Sequence, residues 1–264
     1  MSSLSWRISV WLSRCRHTAR YLVALPFAYR NWWAVFQSKL GADVVLELRD
    51  GTRFHVQART TDLAAVNEAV ILNPYLSSGG IVLREDAIVV DIGANIGDFT
   101  VLVARRCPRG RVVAVEPVTR SARVIAAQVA LNRLSNVTVV RAAVGAASRT
   151  AAIDDAGMSS RVVDGVSGDA VPVVTLERLM SEQHLDTVDL LKLDCEGAEW
   201  DILPAAAGVL PRVQQIAMEF HGERGWTAER LAEWLRERGY VVTHTGGEWN
   251  GVLWATRNGG EAVN

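Results

Sequence analysis

IVVDIGANIGDFT, residues Ile88–Thr100, is the stretch that decides the fold of this 264-residue chain. The apolar run Ile88–Val90 predicts a strand ending in Asp91, and Gly93 and Gly97 flank Asn95 in a turn. From Asp98 the apolar spacing becomes that of a helix, expected to run to Cys107. A second apolar run, Arg111–Val115, stops at Glu116 before Pro117. Strand, glycine turn, helix, strand and acid form the unit with which an α/β sheet presents a nucleoside. Glycine lets the backbone turn sharply and approach a ligand, and the acid at the next strand's tip can hold ribose hydroxyls.

The spacing chooses between cofactors. A dinucleotide-binding turn wants G-x-G-x-x-G. Counted from Gly93, the second glycine position holds Asn95 and the third holds Asp98. An acid at a helix start repels a phosphate. The turn therefore suits S-adenosylmethionine over NAD, with the turn residues Gly93, Ala94, Asn95 and Gly97 around it. The cationic amino group of that cofactor could meet Asp91 or backbone carbonyls, and its ribose could lie on Glu116. Without a ligand, the same residues read as a tight turn of any α/β protein.

Outward from this unit, Arg120–Leu131 reads as a helix and Val137–Val140 as a third strand. Ala151–Ile153 and Val171–Val174 read as shorter strands around a Gly/Ser/Asp-rich loop, Asp154–Asp169, of the length used for lids or substrate loops. Val188–Leu193 is a fourth core strand, Glu199–Ala207 a helix, and Gln215–Phe220 a strand ending at His221. Thr227 caps a helix expected to reach Arg238, and Tyr240–Thr245 pairs with Trp249–Thr256 across Gly246-Gly247. Upstream, Val44–Arg49 and Thr52–Val56 flank Asp50-Gly51 as a hairpin, and Asp62 is placed to cap a helix over Thr61–Leu76. The expectation is a doubly wound, mostly parallel α/β sheet with an antiparallel C-terminal hairpin. Four segments follow from it: a helical piece over 1–40, a hairpin and helix over 41–86, the α/β domain over 87–258, and a disordered tail over 259–264.

A net charge of −1 argues against a general nucleic-acid binder, but the charge is unevenly spread. Residues 1–42 hold six basic side chains (Arg7, Arg14, Arg16, Arg20, Arg30, Lys39) and no acid, which leaves 22 basic and 29 acidic groups beyond them. The same stretch carries Trp6, Trp11, Trp32 and Trp33 on what read as two helical pieces broken near Pro26. It is either an appendage that packs its aromatics or a basic element lying on an anionic membrane surface. No run is apolar and long enough to span a bilayer, and arginines interrupt any secretory h-region. Three scattered cysteines (Cys15, Cys107, Cys195) form no disulfide framework and no zinc spacing, so a cytoplasmic protein is expected. Asp194 and Glu196 could bind a magnesium ion, but two carboxylates do not by themselves assign a metal site.

Ligands of open α/β sheets bind at the carboxyl ends of the strands. Those ends carry Asp91, Glu116, Asp194 and His221. The segment LKLDCEGAE, Leu191–Glu199, is the densest in charge, and strand alternation puts Lys192 and Asp194 on one face. The chain has two lysines against 26 arginines, so Lys192 stands out. It is either an ion-pair partner for a nearby carboxylate or a working group of the site. Asp194 can be a turn carboxylate or a general base. Glu196 and Glu199 can be acids at a helix start or acceptor ligands, and His221 a structural group or a second base.

Three blocks resemble the FkbM family of S-adenosylmethionine-dependent methyltransferases: Val89–Thr100, Arg111–Val118, and Thr175–Leu179 followed by Asp189–Leu203. The likeness covers roughly residues 40–255, and its specific part is DCEGAEW. It implies a class I methyltransferase (Rossmann-like) fold acting on a hydroxyl of a sugar, glycolipid or polyketide. It would give Asp91, Gly93, Asn95, Gly97 and Glu116 to the cofactor, and Lys192, Asp194, Glu196 and Gly197 to a loop beside the acceptor. Many methyltransferases meet the adenine amine with an acid after the third strand, where Arg141-Ala142-Ala143 offers none.

Overall fold

Residues 22–154, 161–163, 170–222 and 227–257 are described by a computed structural model of the chain. The expectations for residues 1–21, for most of the 154–169 loop and for the 259–264 tail lie outside them. The chain divides into two units, residues 1–72 and 73–264. The division falls inside the expected 41–86 segment. Beyond Leu72 the chain joins the second unit, where Tyr75, Leu76, Ile81 and Leu83 pack with Val89, Phe99 and Trp254.

The first unit contains helical residues 22–28 (α1), helix α2 (Ala34–Lys39), strands β1 (Val44–Glu47) and β2 (Arg53–Val56), and helix α3 (Asp62–Asn67) with a π-helical turn, Glu68–Leu72. β1 and β2 pair antiparallel. Their turn is held by Asp50, which accepts from the Thr52 N–H at 2.8 Å, and by Gly51 in the left-handed region. Leu25, Tyr29, Val35, Leu46, Phe54 and Val66 are buried. Two expectations are corrected. α1 continues through Pro26 and ends at Tyr29, where buried Tyr29 bridges to Leu48 and its hydroxyl donates to Asn67. Asp62 is not a cap: it lies inside α3, buried, and accepts from the Gln57 N–H at 3.2 Å.

The second unit is built on a seven-stranded sheet. Its strands are β3 (Ile88–Ile92), β4 (Arg111–Val115), β5 (Val137–Val140), β10 (Leu190–Leu193), β11 (Gln215–His221), β12 (Tyr240–Gly246) and β13 (Asn250–Arg257). They lie in the order β12-β13-β11-β10-β3-β4-β5. The run from β11 to β5 is parallel, and the β12–β13 hairpin joins it antiparallel. Alternate residues of the central strands feed opposite cores. Val90, Val113, Leu191 and Met218 face one, and Val89, Val112, Leu190 and Ala217 the other. Burial on both faces is why these strands read as unbroken apolar runs.

Helices α4 (Asp98–Arg106), α5 (Thr119–Leu131), α6 (Leu176–Glu182), α7 (Glu199–Ala205) and α8 (Ala228–Arg236) complete the winding. Thr227 caps α8 as expected, accepting from the Arg230 N–H, and α8 ends at Arg236. A second, four-stranded sheet contains β6 (Ala143–Val144), β7 (Arg149–Asp154), β8 (Arg161–Val163) and β9 (Ala170–Val174), in the order β6-β9-β7-β8. The expected featureless loop thus contains a strand, β8, paired antiparallel with β7. Among the described residues no helix is long and apolar enough to cross a membrane.

Candidate active site

The site begins with a register. β3 and β10 run side by side with Lys192 opposite Asp91, so two charges from two apolar strands meet on one face. Asp91 lies within β3, not at its end, and is fully buried, while Lys192 is 3% exposed. The Lys192 Nζ lies 3.2 Å from Asp91 Oδ1 and 3.7 Å from Asp194 Oδ2, and donates to the Gly93 carbonyl at 2.9 Å. Burial alone would depress the lysine, but Asp91, Asp194 and Asp98 outweigh it and raise its pKa above the ordinary lysine range. α4 supplies a further contact: the Thr100 hydroxyl donates to the other Asp91 oxygen at 2.6 Å. One Asp91 oxygen is thus hydrogen-bonded from inside the protein, while the other, buried Oδ1, has Lys192 within ion-pair distance but makes no hydrogen bond among the described residues.

Tyr75 closes this network. Its hydroxyl donates to Asp194 at 2.8 Å, its ring lies 5.2 Å from the Lys192 Nζ, and its carbonyl accepts from the Trp254 indole at 3.2 Å. Asp194 keeps 30% of its side chain exposed, so it is the carboxylate of this group that a ligand can reach.

The glycine turn lies against the same loop. Gly93, Asn95 and Gly97 all take left-handed backbone angles (φ 74°, 49° and 84°). A Cβ on Gly93 would sit 1.8 Å from the Asp194 carbonyl oxygen, so the two motifs touch and only glycine fits between them. Glu116 ties down the other side, accepting from the Asn95 N–H at 2.9 Å and from the Val118 N–H at 2.8 Å. Burial pushes the Glu116 carboxyl up to about 7, against the pull of these two N–H donors. Asp98, at the start of α4, is likewise raised to about 7 by burial, with Asp91 and Asp194 adding and Lys192 opposing.

A second network holds the loop after β10. Buried Glu199 accepts from the N–H of Cys195 at 2.7 Å and of Gly197 at 3.0 Å, which fixes the left-handed pair Glu196 and Gly197. His221, at the end of β11, lies 3.7 Å from Glu199, 3.8 Å from Glu196 and 3.7 Å from Glu219. Its carbonyl accepts from the Trp200 indole. The interaction with Glu199 leads in raising His221 to about 9; burial opposes it, and Glu219 and Glu196 add to it. A histidine raised that far is protonated at neutral pH. It fits a cation that organises Glu196 and Glu199 better than a base.

A histidine raised from 6.5 to about 9 stabilises the fold fully below pH 6.5, and that contribution is lost as the pH climbs to 9. The denaturant midpoint of the protein should fall over this window, and His221→Gln should remove that part of the fall. An equal slope in the variant would assign the dependence to other groups.

The expected site residues therefore gather into two adjoining networks. Asp91, Gly93, Lys192 and Asp194 form one, with the Ala94–Gly97 turn and Glu116 beside it. Glu196, Glu199 and His221 form the other, joined to it through the loop 194–197. Tyr75 and Thr100 were not foreseen. Tyr75 reaches Asp194 across 119 residues, a distance that leaves no local trace.

A model of the methyltransferase FkbM domain matches residues 91–242 of this chain. The chain belongs to the FkbM methyltransferase family. Asp91 and His221 both fall in the FkbM domain, while the whole first unit lies outside it. The chain is similar to the AMB antimetabolite synthetase AmbE of Pseudomonas aeruginosa, 31% identical over 226 residues. That match spans 67% of this chain and 10% of AmbE, so the likeness is to a small part of a much longer protein. It is also similar to methyltransferase sdnD of Sordaria araneosa, 26% identical over 204 residues, covering 63% of this chain and 78% of sdnD. In fold it resembles the crystal structure of the FkbM methyltransferase of Methylobacillus flagellatus, with a TM-score of 0.50 at 17% identity, over 74% of this chain and 53% of that one. The class I methyltransferase fold expected from the sequence is the one the FkbM domain adopts here.

Proposed function

We propose that the chain is an O-methyltransferase acting on a hydroxyl of a sugar, glycolipid or polyketide-type acceptor with S-adenosylmethionine. The contact between Gly93 and the Asp194 carbonyl carries this reading, because it joins a nucleoside-type turn to an accessible carboxylate. The donor set fits the cofactor. Glu116, Asp98 and Asp194 surround the turn with acid, which favours a cationic ligand and opposes a pyrophosphate. S-adenosylmethionine bound there supplies an electrophilic methyl group.

Glu116 holds the ribose hydroxyls through lone pairs left over from its two backbone contacts. Asp91 acts from behind, since it is fully buried between Thr100 and Lys192; its charge holds Lys192, which in turn donates to the Gly93 carbonyl and lies beside Asp194. The cofactor's amino group is left to the backbone carbonyls of the turn. Asp194 takes the acceptor's hydroxyl proton as the oxygen is methylated, and Glu196, held by His221, orients that hydroxyl. Orientation supplies most of the benefit, with general-base help of about 10²–10⁴-fold. Cys107 and Cys195 are free thiols, which fits a cytoplasmic enzyme.

The test is calorimetric titration with S-adenosylhomocysteine. Glu116→Ala should weaken binding on the order of 10-fold or more, the loss of a charge-assisted contact. An ionised Glu116 accepts hydroxyls best, so affinity should rise as the pH passes through about 7, and Glu116→Gln should flatten that rise. Asp194→Asn should keep the binding and lose turnover. Heat from NAD and none from S-adenosylhomocysteine would overturn the reading.

A further inference from the structure

Helices α1 and α2 are apolar on two sides. One side is buried, through Leu25 in α1, Tyr29 just after it, and Ala34 and Val35 in α2. The other is bare: Val23 is 67% exposed, Phe27 78%, Trp33 53% and Leu40 88%, with Trp32 and Phe36 beside them. The aromatics are clustered, the Trp32 ring packing edge-on to Trp33 at 6.3 Å and to Phe36 at 6.0 Å. Neighbouring large apolar side chains left exposed together mark a surface that something else covers.

We infer that residues 22–40 form a docking surface for an anionic lipid bilayer. Two observations select this occupant. Paired tryptophans with phenylalanine and leucine suit the boundary between headgroups and acyl chains, where a ring can be buried and its N–H kept wet. The stretch 1–42 also holds six basic side chains and no acid, the charge that an anionic surface attracts. Of these, Arg30 also pairs with Glu47. A symmetric contact between two copies would instead bring these all-basic stretches together. The apolar stripe enters the interface, the basic side chains meet the lipid phosphates, and the chain rests on the membrane without crossing it.

The experiment uses the full chain and vesicles of phosphatidylcholine, alone or mixed with phosphatidylglycerol. Co-sedimentation should be on the order of 10-fold stronger with the anionic vesicles, should weaken with added salt, and should come with a blue shift of tryptophan emission. The triple change Trp32→Ser, Trp33→Ser, Phe36→Ser should reduce sedimentation on the order of 10-fold. A second variant, Phe27→Ser with Leu40→Ser, should act in the same direction. An unchanged thermal midpoint and unchanged S-adenosylhomocysteine binding show that each variant is folded. Wild-type protein that sediments with neither vesicle, or variants that sediment like wild type, would overturn the inference. So would a dimer that the triple change converts to monomer with no vesicle binding, which would give the surface to a second copy.

Discussion

Gly93→Ala is expected to weaken cofactor binding steeply and to destabilise the second unit. The added Cβ would lie 1.8 Å from the Asp194 carbonyl oxygen and 2.9 Å from its carbonyl carbon, both backbone atoms that no rotamer change can move aside. The left-handed angle of Gly93, φ 74°, adds a strain of about 1–2 kcal/mol for any residue with a Cβ. Overpacking adds about 1–3 kcal/mol more, so the turn must shift away from the loop that carries Asp194. Affinity for S-adenosylhomocysteine should fall on the order of 100-fold or more, the equivalent of about 2.7 kcal/mol. Thermal denaturation beside calorimetry separates the two effects. An alanine variant that binds and melts like wild type would mean that the turn and the loop do not touch in solution.

Lys192→Met is expected to cost about 3–5 kcal/mol, the usual penalty for removing one partner of a buried ion pair. Methionine fills the space but leaves fully buried Asp91 facing an apolar side chain, and leaves Asp194 with Tyr75 alone of its two close partners. The penalty belongs to the stranded charge more than to the lost attraction. Adding Asp91→Asn should therefore restore more than half of the lost stability, since the amide can still accept from Thr100. A single variant within about 1 kcal/mol of wild type, or a double variant no better than the single, would refute this account. Activity should stay low in the double variant, because the Gly93 carbonyl then loses its donor and Asp194 keeps Tyr75 alone.

The strands were legible where burial on both faces writes itself as an apolar run. Arg111–Val115, buried at four of its five positions, forms as read; Val137–Val140 also forms as read, although it is the partly buried strand at the end of the sheet. The reading failed where a long-range contact overrode a local signal. Pro26 stays helical because the chain turns only where Tyr29 meets Leu48, and Asp62 gives up capping to hold Gln57. The strand Arg161–Val163 was hidden because a short edge strand in a Gly/Ser/Asp-rich stretch has too few apolar residues to show a period. In the site, the glycine turn and the carboxylates were visible from their positions at strand ends. The pairing of Lys192 with Asp91 could also have been anticipated: two opposite charges on buried strands must find partners, and each is the obvious one for the other. The place of Tyr75 could not, since it is set by a contact remote in sequence.

The position of β13 bears on when the site can assemble. It lies between β11 and β12, and its Trp254 supports Tyr75 across 179 residues. On the ribosome the glycine turn and both acid-bearing strands emerge well before that tryptophan does. The early chain can pair β3 with β4, but the support behind Tyr75 and Asp194 arrives with a strand made much later. Such long-range closure slows folding and leaves the edge of β11 open until it is complete. Newly made chains therefore pass through a stage in which the glycine turn can be shaped while Tyr75 and the Asp194 it holds are still loose.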